Sequence, residues 1–166
     1  MTHFNDLSLT KKDAQNILDL EENWLMDKKG KDITPGKLSH TVSAFANANG
    51  GEIYVGISHD DDKAIYYWDG FPTKEHYNQM IDIITEICPG YDDCSFDFCY
   101  CEDYDTVILH IIIQKTRQVV FATDHKPYLR IGVQNIPQNT PEKLRQLEYD
   151  KGIFSYEDEN TNYTYD

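Results

Sequence analysis

Ionisable side chains are concentrated in one stretch of this chain, residues 21–62. Two carboxylates, Glu22 and Asp27, stand near its beginning, and three consecutive aspartates at 60–62 close it. Between them lie four lysines, Lys28, Lys29, Lys31 and Lys37. Lysine side chains supply much of the affinity of proteins for phosphate backbones. Acidic groups at both edges of a lysine-rich segment indicate a functional site rather than a segment that only folds.

The elements that position these side chains have clear boundary signals. Thr34-Pro35 is typical of a helix start, with a capping side chain followed by proline in the first turn. Leu38, Val42 and Phe45 give the helix an apolar face, and Asn49-Gly50-Gly51 ends it. The next segment, 52–58, alternates apolar residues as a strand does.

The rest of the chain predicts further helices and strands. We expect helices over about residues 11–21, 73–88 and from 140 onward, and strands over about 23–29, 64–68, 95–101, 106–114 and 127–133. The fold class is therefore α+β, with a mixed, mostly antiparallel sheet of about six strands covered by two or three helices. We expect one domain over residues 1–152 and an acidic tail or linker over 153–166.

The formal net charge of −14 argues against a nucleic-acid partner, but the acidic residues are unevenly distributed. Residues 89–106 contain six acidic residues and no basic one, and residues 148–166 contain six acidic residues and one lysine. Residues 23–59 instead carry four lysines against three acids. The sequence is compatible with a locally basic groove on an acidic protein.

The cysteines and the N-terminus bear on the cellular compartment. The spacing of Cys88, Cys94, Cys99 and Cys101 matches no common zinc pattern. We favour free buried thiols over a metal cluster or disulfides. The first ten residues are polar and the longest apolar run is far too short to span a bilayer, so we expect a cytosolic protein without a membrane association.

Three motifs carry a family resemblance. The most specific is Ser43–Gly51, which reads S-A-F-A-N-x-x-G-G. It is preceded by Glu22, four residues and Asp27-Lys28, and followed by an aromatic-x-Arg-x-Gly strand, 128–132. With these motifs the chain resembles, over roughly residues 15–152, the AlbA_2 domain from which Schlafen proteins are built.

The resemblance implies a nucleic-acid-directed function. In some Schlafen proteins three carboxylates of this domain bind a divalent metal ion and cut structured RNA such as tRNA. By position these would be Glu22, Asp27 and Asp60, binding Mg²⁺ or Mn²⁺, with Lys28 beside them to stabilise the phosphorus centre. The residues expected to contact nucleic acid are Lys28, Lys29, Lys31, Lys37 and Arg130.

Other interpretations remain open. We favour Glu22 and Asp27 as solvated surface acids paired with Lys28 or Lys31 over a metal site, and Arg130 is equally expected as one half of a structural salt bridge. The same domain occurs in longer bacterial chains described as transcriptional regulators or ATP-binding proteins, which favours a non-catalytic DNA- or RNA-binding module. The acidic surface favours a protein-interaction domain. Schlafen cores use two such lobes in tandem, so we expect this chain to form a homodimer.

Overall fold

The computed structural model describes residues 3–88 and 90–152. Its helices are α1 (Lys11–Asp19), α2 (Pro35–Asn47), α3 (Asn78–Ile87) and α4 (Pro141–Asp150). Its strands are β1 (His3–Leu9), β2 (Met26–Lys29), β3 (Gly51–Val55), β4 (Ile57–Asp60), β5 (Ile65–Trp68), β6 (Cys94–Cys101), β7 (Ile108–Ile113), β8 (Tyr128–Ile131) and β9 (Gln134–Pro137).

Five strands form the central sheet, in the order β1-β6-β7-β3-β2. The outer pairs, β1 with β6 and β2 with β3, are parallel, and the inner pairs are antiparallel. Two antiparallel hairpins, β4–β5 and β8–β9, lie outside this sheet. The expected α+β class and mixed sheet are confirmed.

The two faces of the central sheet carry separate apolar clusters. Alternate residues of β3 show this division: Ile53 and Val55 pack with α2 and α3, whereas Tyr54 packs with α1. On the α1 side, Ala14 and Leu18 are buried against the sheet. The sheet is thus covered on both faces, and β2 lies at one edge of it.

Helix α2 is the most buried helix. The Thr34 hydroxyl accepts a hydrogen bond from the Lys37 N–H at 3.2 Å, which caps the helix as the sequence predicts. At the other end Gly50 has φ +77°, the left-handed conformation that glycine adopts without strain. A Cβ on Gly51 would lie 2.5 Å from the Phe45 ring, so the second glycine allows the chain to pass close to the helix.

The single strand expected over 52–58 is divided by Gly56. This glycine has φ +107°, and a Cβ there would lie 2.8 Å from the Tyr77 hydroxyl. The bend directs β4 out of the central sheet, and β4 pairs with β5 instead. The Gly56 N–H donates to the Lys29 carbonyl at 2.8 Å, and this contact keeps the bend beside the end of β2.

Other differences concern the ends of the sheet. Strand β1 was not expected, and the strand expected over 127–133 ends at Ile131, where Gly132 (φ +60°) turns the chain into β9. No helix among residues 3–88 and 90–152 is long and apolar enough to cross a membrane. The expected tail over 153–166 lies outside the described residues.

Candidate functional site

Asp27 lies in the edge strand β2 and is 1% exposed. Its Oδ1 accepts the Lys28 N–H at 2.8 Å. Its Oδ2 lies 3.0 Å from Arg130 Nη1 and 3.2 Å from Lys29 Nζ. Burial alone would raise the pKa of Asp27, but the hydrogen bond with Glu22 and the charges of Lys29 and Arg130 lower it below its ordinary value. Asp27 is therefore a carboxylate whose two oxygens both have protein partners.

Arg130 comes from β8 and its side chain is fully shielded from solvent. Its guanidinium lies over the Phe45 ring, 4.7 Å from the centroid. Besides Asp27, Nη1 donates to Asn135 Oδ1 at 2.9 Å, and Nη2 donates to the Asn23 carbonyl at 2.9 Å. Only Nε has no hydrogen-bond partner among the described residues. Of the two expected roles, the geometry supports the structural salt bridge and does not expose Arg130 to a phosphate.

Glu22 lies just before β2 and is half-buried beside Asp27. Its Oε1 accepts a hydrogen bond from the Tyr66 hydroxyl at 2.8 Å. Burial, together with the hydrogen bond from Glu22 to Asp27, raises the pKa of Glu22 to about 7, and the Tyr66 hydroxyl opposes this shift. Two neighbouring carboxyls titrate as a pair. The pKa of Glu22 is raised and that of Asp27 is lowered, so Glu22 is the member of the pair that takes up a proton first as the pH falls.

Lys28 points to the opposite face of β2 from Asp27. Its Nζ donates to the carbonyls of Leu18, at 2.8 Å, and Leu20, and lies 4.1 Å from the Tyr66 ring centroid. The residue is 5% exposed, and burial lowers the pKa of its ammonium group. Lys28 thus caps the C-terminal end of α1. In this position its ammonium group faces backbone carbonyls and the Tyr66 ring.

Asp60 stands at the far end of the β4–β5 hairpin. Its Oδ1 accepts hydrogen bonds from the N–H groups of Asp62, at 3.0 Å, and Lys63, at 3.2 Å. In the hairpin register His59 faces Tyr66, the residue that contacts Glu22, and alternation places Asp60 on the other face. The structure therefore brings Glu22 and Asp27 together but does not bring Asp60 to them.

Asp69 is the acidic residue that lies beside Gly56. Its N–H donates to the Gly56 carbonyl at 2.7 Å, because it follows the last residue of β5 in the hairpin. Its carboxylate accepts the Ser58 hydroxyl at 2.8 Å and pairs with Lys31 at 3.3 Å. Asp69 is not among the site residues expected from the sequence. Extending the expected hairpin by one residue pair would have placed it opposite the glycine.

The residues present do not fit a three-carboxylate metal centre. Among residues 3–88 and 90–152, no three His, Cys, Asp or Glu side chains are grouped to hold a metal ion. A hard cation such as Mg²⁺ requires oxygen ligands that are free to bind it. The carboxylate oxygens of Asp27 instead contact Arg130, Lys29 and a backbone N–H. Two positive charges from the protein occupy the position that a cation would take beside this carboxylate.

Three of the five expected nucleic-acid contacts reach the surface. The side chains of Lys29 and Lys31 are 27% and 30% exposed, and Lys37 is exposed in the first turn of α2. These three residues follow one another along the connection from β2 to α2. We call Lys29, Lys31 and Lys37 the β2–α2 lysines. Trp24, which is 52% exposed, precedes them on the same edge of the fold.

Two polar residues of the Ser43–Gly51 motif, Ser43 and Asn47, form hydrogen bonds to backbone groups of distant residues. The Ser43 hydroxyl donates to the Val120 carbonyl at 2.7 Å and accepts the Tyr128 N–H at 3.0 Å. Asn47 donates to the carbonyls of Val120 and Tyr128 and accepts the Val120 N–H at 2.8 Å. Both side chains are buried. The motif positions β8, and with it Arg130, against α2.

Comparisons with known proteins agree with this fold. The crystal structure of the DIP2311 protein from Corynebacterium diphtheriae is similar with a TM-score of 0.52 and 17% identity, covering 73% of this chain and 26% of that protein. The chain thus spans about a quarter of its length. The solution structure of the N-terminal domain of an ATP-dependent DNA helicase RecG-related protein from Nitrosomonas europaea gives a TM-score of 0.50 and 17% identity, covering 65% of this chain and 74% of that domain.

At this level of identity the two structures show a shared fold and nothing further. No curated protein sequence matches the chain. The family described as "Schlafen, AlbA_2" matches residues 15–139, which include Glu22, Asp27, the Ser43–Gly51 motif and Arg130. This match covers most of the sequence, and the chain therefore belongs to the Schlafen AlbA_2 family.

Proposed function

We propose that this protein is a nucleic-acid-binding module that does not cut its ligand. The observation that carries this proposal is the engagement of Asp27 by Arg130, Lys29 and a backbone N–H. This carboxylate stabilises the fold, and of the five residues expected to contact nucleic acid the β2–α2 lysines are the ones that reach the surface. Membership of the family and the similarity to a domain of a DNA helicase-related protein support the nucleic-acid assignment.

The binding is expected to be weak and sensitive to salt. Lys29 already pairs with Asp27 and Lys31 with Asp69, so a phosphate must compete with an existing partner at both positions. The net charge of −14 adds a general repulsion. Each lysine that neutralises a phosphate contributes to the slope of log K against log salt, about −0.9 per contact for duplex DNA and −0.7 for single strands.

Fluorescence anisotropy at low salt, with labelled tRNA, single-stranded DNA and duplex DNA, tests this proposal. Lys31→Glu and Lys37→Glu are expected to weaken binding at least several-fold and to reduce the salt slope by about one contact each. Lys12→Glu is the matched control, because Lys12 is exposed on α1 away from the β2–α2 lysines and the charge change is identical. Absence of binding at low salt would overturn the assignment and favour a protein-interaction domain, and equal loss in all three variants would show that the β2–α2 lysines do not form the binding site.

The alternative is a metal-dependent endoribonuclease that acts on structured RNA such as tRNA with Mg²⁺ or Mn²⁺. The pairing of Glu22 with Asp27 next to Lys29 favours it. It requires that Asp27 leave Arg130 and that Asp60 leave its turn. Incubation of tRNA with Mn²⁺ distinguishes the two functions: cleavage that is lost in Asp60→Asn and retained in Asp61→Asn would establish the nuclease.

We also propose that the protein acts as a homodimer, because a single lobe offers only one set of β2–α2 lysines. Two copies related by a twofold axis present two such sets to one ligand, which increases affinity without any new contact. The second copy is most simply placed on β1, the edge strand at the end of the sheet opposite β2. A measurement of the oligomeric state in solution tests this arrangement.

A further inference from the structure

Two of the four cysteines meet between α3 and β6, far along the sheet from the β2–α2 lysines. The Sγ atoms of Cys88 and Cys94 are 2.7 Å apart. This separation is nearer to the length of a disulfide bond, about 2.0 Å, than to an ordinary contact between two sulfur atoms. The neighbouring pair, Cys99 and Cys101, has no such contact among the described residues, although both thiols are also buried.

The backbone holds both residues of the close pair in place. Cys88 caps the C-terminal end of α3, where its N–H donates to the Ile84 carbonyl at 3.1 Å. Cys94 is the first residue of β6 and pairs with Ile113 of β7. Both side chains belong to the apolar cluster between the sheet and the helices. The approach of the two sulfur atoms is therefore set by the packing of a helix end on a strand, and bond formation requires little movement.

We propose that Cys88 and Cys94 form a thiol–disulfide site whose co-substrate is a small disulfide such as oxidised glutathione. In the first step a Cys88 thiolate attacks one sulfur of oxidised glutathione, which breaks its S–S bond and releases one glutathione thiolate. In the second step Cys94 attacks the Cys88 sulfur of this mixed disulfide and displaces the second glutathione. The protein loses two electrons and two protons, and both end on the two reduced glutathione molecules.

The order of the two steps follows from the surroundings of each thiol. Cys88 is 9% exposed at a helix end, whereas Cys94 is 4% exposed within the sheet. The hydrogen bond with Cys88 and burial both raise the pKa of the Cys94 thiol, so Cys94 remains protonated while its partner is reduced. Because both thiols are buried, the reaction awaits local opening of the helix end and is slow.

The bond has a structural consequence at β1. The connection between the two cysteines includes residues 90–93, which contact the first residue of β1: the Tyr91 ring lies edge-on to His3 at 5.6 Å, and Asp92 pairs with His3 Nε2 at 2.9 Å. The Gln114 N–H donates to the Asp93 carbonyl at 2.8 Å, which ties the same connection to the end of β7. Closing this short loop covalently is expected to raise the melting temperature and to slow amide exchange at the start of β1.

The test uses the folded wild-type protein in a glutathione buffer poised toward the oxidised form. Thiols are counted after denaturation, and peptide mapping locates any bond. The expected product has lost the mass of two hydrogen atoms, retains two of its four thiols and carries a Cys88–Cys94 link that a dithiol reductant removes. Four remaining thiols, a stable glutathione adduct on the wild-type protein, or a bond to Cys99 or Cys101 would overturn the proposal.

Single substitutions assign the steps. Cys94→Ala is expected to stop at the mixed disulfide on Cys88, and Cys88→Ala to stay reduced for much longer than wild type. Cys101→Ala is the matched control, since it removes another buried thiol and leaves the pair intact. Formation of the internal bond in Cys101→Ala at the wild-type rate supports the site. A Cys101→Ala protein that no longer forms it shows that the Cys101 thiol takes part in the oxidation and contradicts the proposal.

Discussion

Substituting both partners of the Asp27–Arg130 pair is predicted to lower the free energy of unfolding by less than the sum of the two single substitutions. A buried charge without its counter-ion retains its full desolvation penalty, and such single substitutions cost about 3–5 kcal/mol. Both side chains are almost completely shielded here, with exposures of 2% and 0%. Arg130→Met and Asp27→Asn are therefore each expected to lower the free energy of unfolding strongly, and the double variant is expected to lose less than the sum.

Urea denaturation of the four proteins in this double-mutant cycle measures the coupling. Lys37→Met serves as a reference for the loss of an exposed charge and is expected to change the free energy of unfolding by less than about 0.5 kcal/mol. Additive losses in the double variant would mean that Asp27 does not depend on Arg130. That result would also mean that the Asp27 carboxylate is available to bind a metal ion.

Glu22 is predicted to make the protein less stable as pH rises from about 4.5 to about 7. Its pKa in the folded state is about 7, above the ordinary value of 4.5. Between these values the unfolded chain releases the proton and the folded protein keeps it, so the contribution present below pH 4.5 is lost as pH rises through the folded pKa. Asp27 has the opposite sign, because its pKa is lowered, and its contribution is lost only in stronger acid.

The variant Glu22→Gln isolates this effect, because glutamine does not ionise and still accepts the Tyr66 hydroxyl. Its stability relative to wild type, measured by urea denaturation at several pH values, is expected to improve between pH 5 and pH 8. Glu21→Gln, one residue earlier and exposed, is the control and is expected to show no such trend. A difference between Glu22→Gln and wild type that stays constant with pH would show that Glu22 titrates normally.

The proximity of Glu22 and Asp27 could be anticipated from the sequence, but their surroundings could not. The period-two alternation of a strand places Asp27 and Lys28 on opposite faces, and such alternation usually leaves one of them in solvent. Here both are buried, because Arg130 covers one side of β2 and the end of α1 with Tyr66 covers the other. These covering groups come from distant parts of the chain, so no local pattern reports them.

At the scale of elements, Asn47 is predicted to be the most sensitive polar residue of α2. Its side chain bonds three backbone groups of Val120 and Tyr128. Asn47→Ala leaves these groups buried without partners, and each such group costs about 1–3 kcal/mol. A loss of at least about 2 kcal/mol in the free energy of unfolding is expected. Amide exchange at Val120 should also become faster, since its N–H loses the Asn47 acceptor.

The nearby Asn49→Ala provides the comparison for this prediction. Asn49 is exposed at the end of the same helix, and its loss is expected to change the free energy of unfolding little. Protection of the Val120 amide that is unchanged in Asn47→Ala would show that the position of Val120 does not depend on the Asn47 side chain.

The elements themselves were predictable where local signals define them. The caps at Thr34 and Thr140 and the apolar periodicity of α2 and α3 correctly located three helices. Strand β1 was missed because most of its residues are exposed on both faces, so it lacks the alternation of a half-buried strand. Its conformation depends on pairing with β6, whose residues lie 92 positions further along the chain. The break at Gly56 was missed because glycine is also tolerated inside strands.

The whole molecule has a strong negative charge, and its edge strand β1 is able to pair with a strand of another molecule. Strand β1 has seven residues and contains neither lysine nor proline, the residues that commonly protect an edge. Phe4 and Leu7 on it are 49% and 38% exposed. Antiparallel pairing of β1 with the β1 of a second copy is self-complementary and generates a closed twofold dimer. Light scattering over a range of protein concentrations is expected to report the dimer mass.

Proline substitutions and salt distinguish this edge pairing from other contacts. Successive residues of a strand direct their backbone groups to opposite sides, so one of Asn5→Pro and Asp6→Pro removes an N–H that faces outward and the other removes one that faces β6. The substitution that removes the outward-facing N–H is expected to give a folded monomer. The substitution that removes the N–H facing β6 is expected to destabilise the protein. Because each copy carries a charge of −14, salt should strengthen the dimer by screening repulsion, whereas it should weaken nucleic-acid binding. A wild-type protein that stays monomeric at high concentration and high salt would contradict the homodimer and leave each lobe to bind alone.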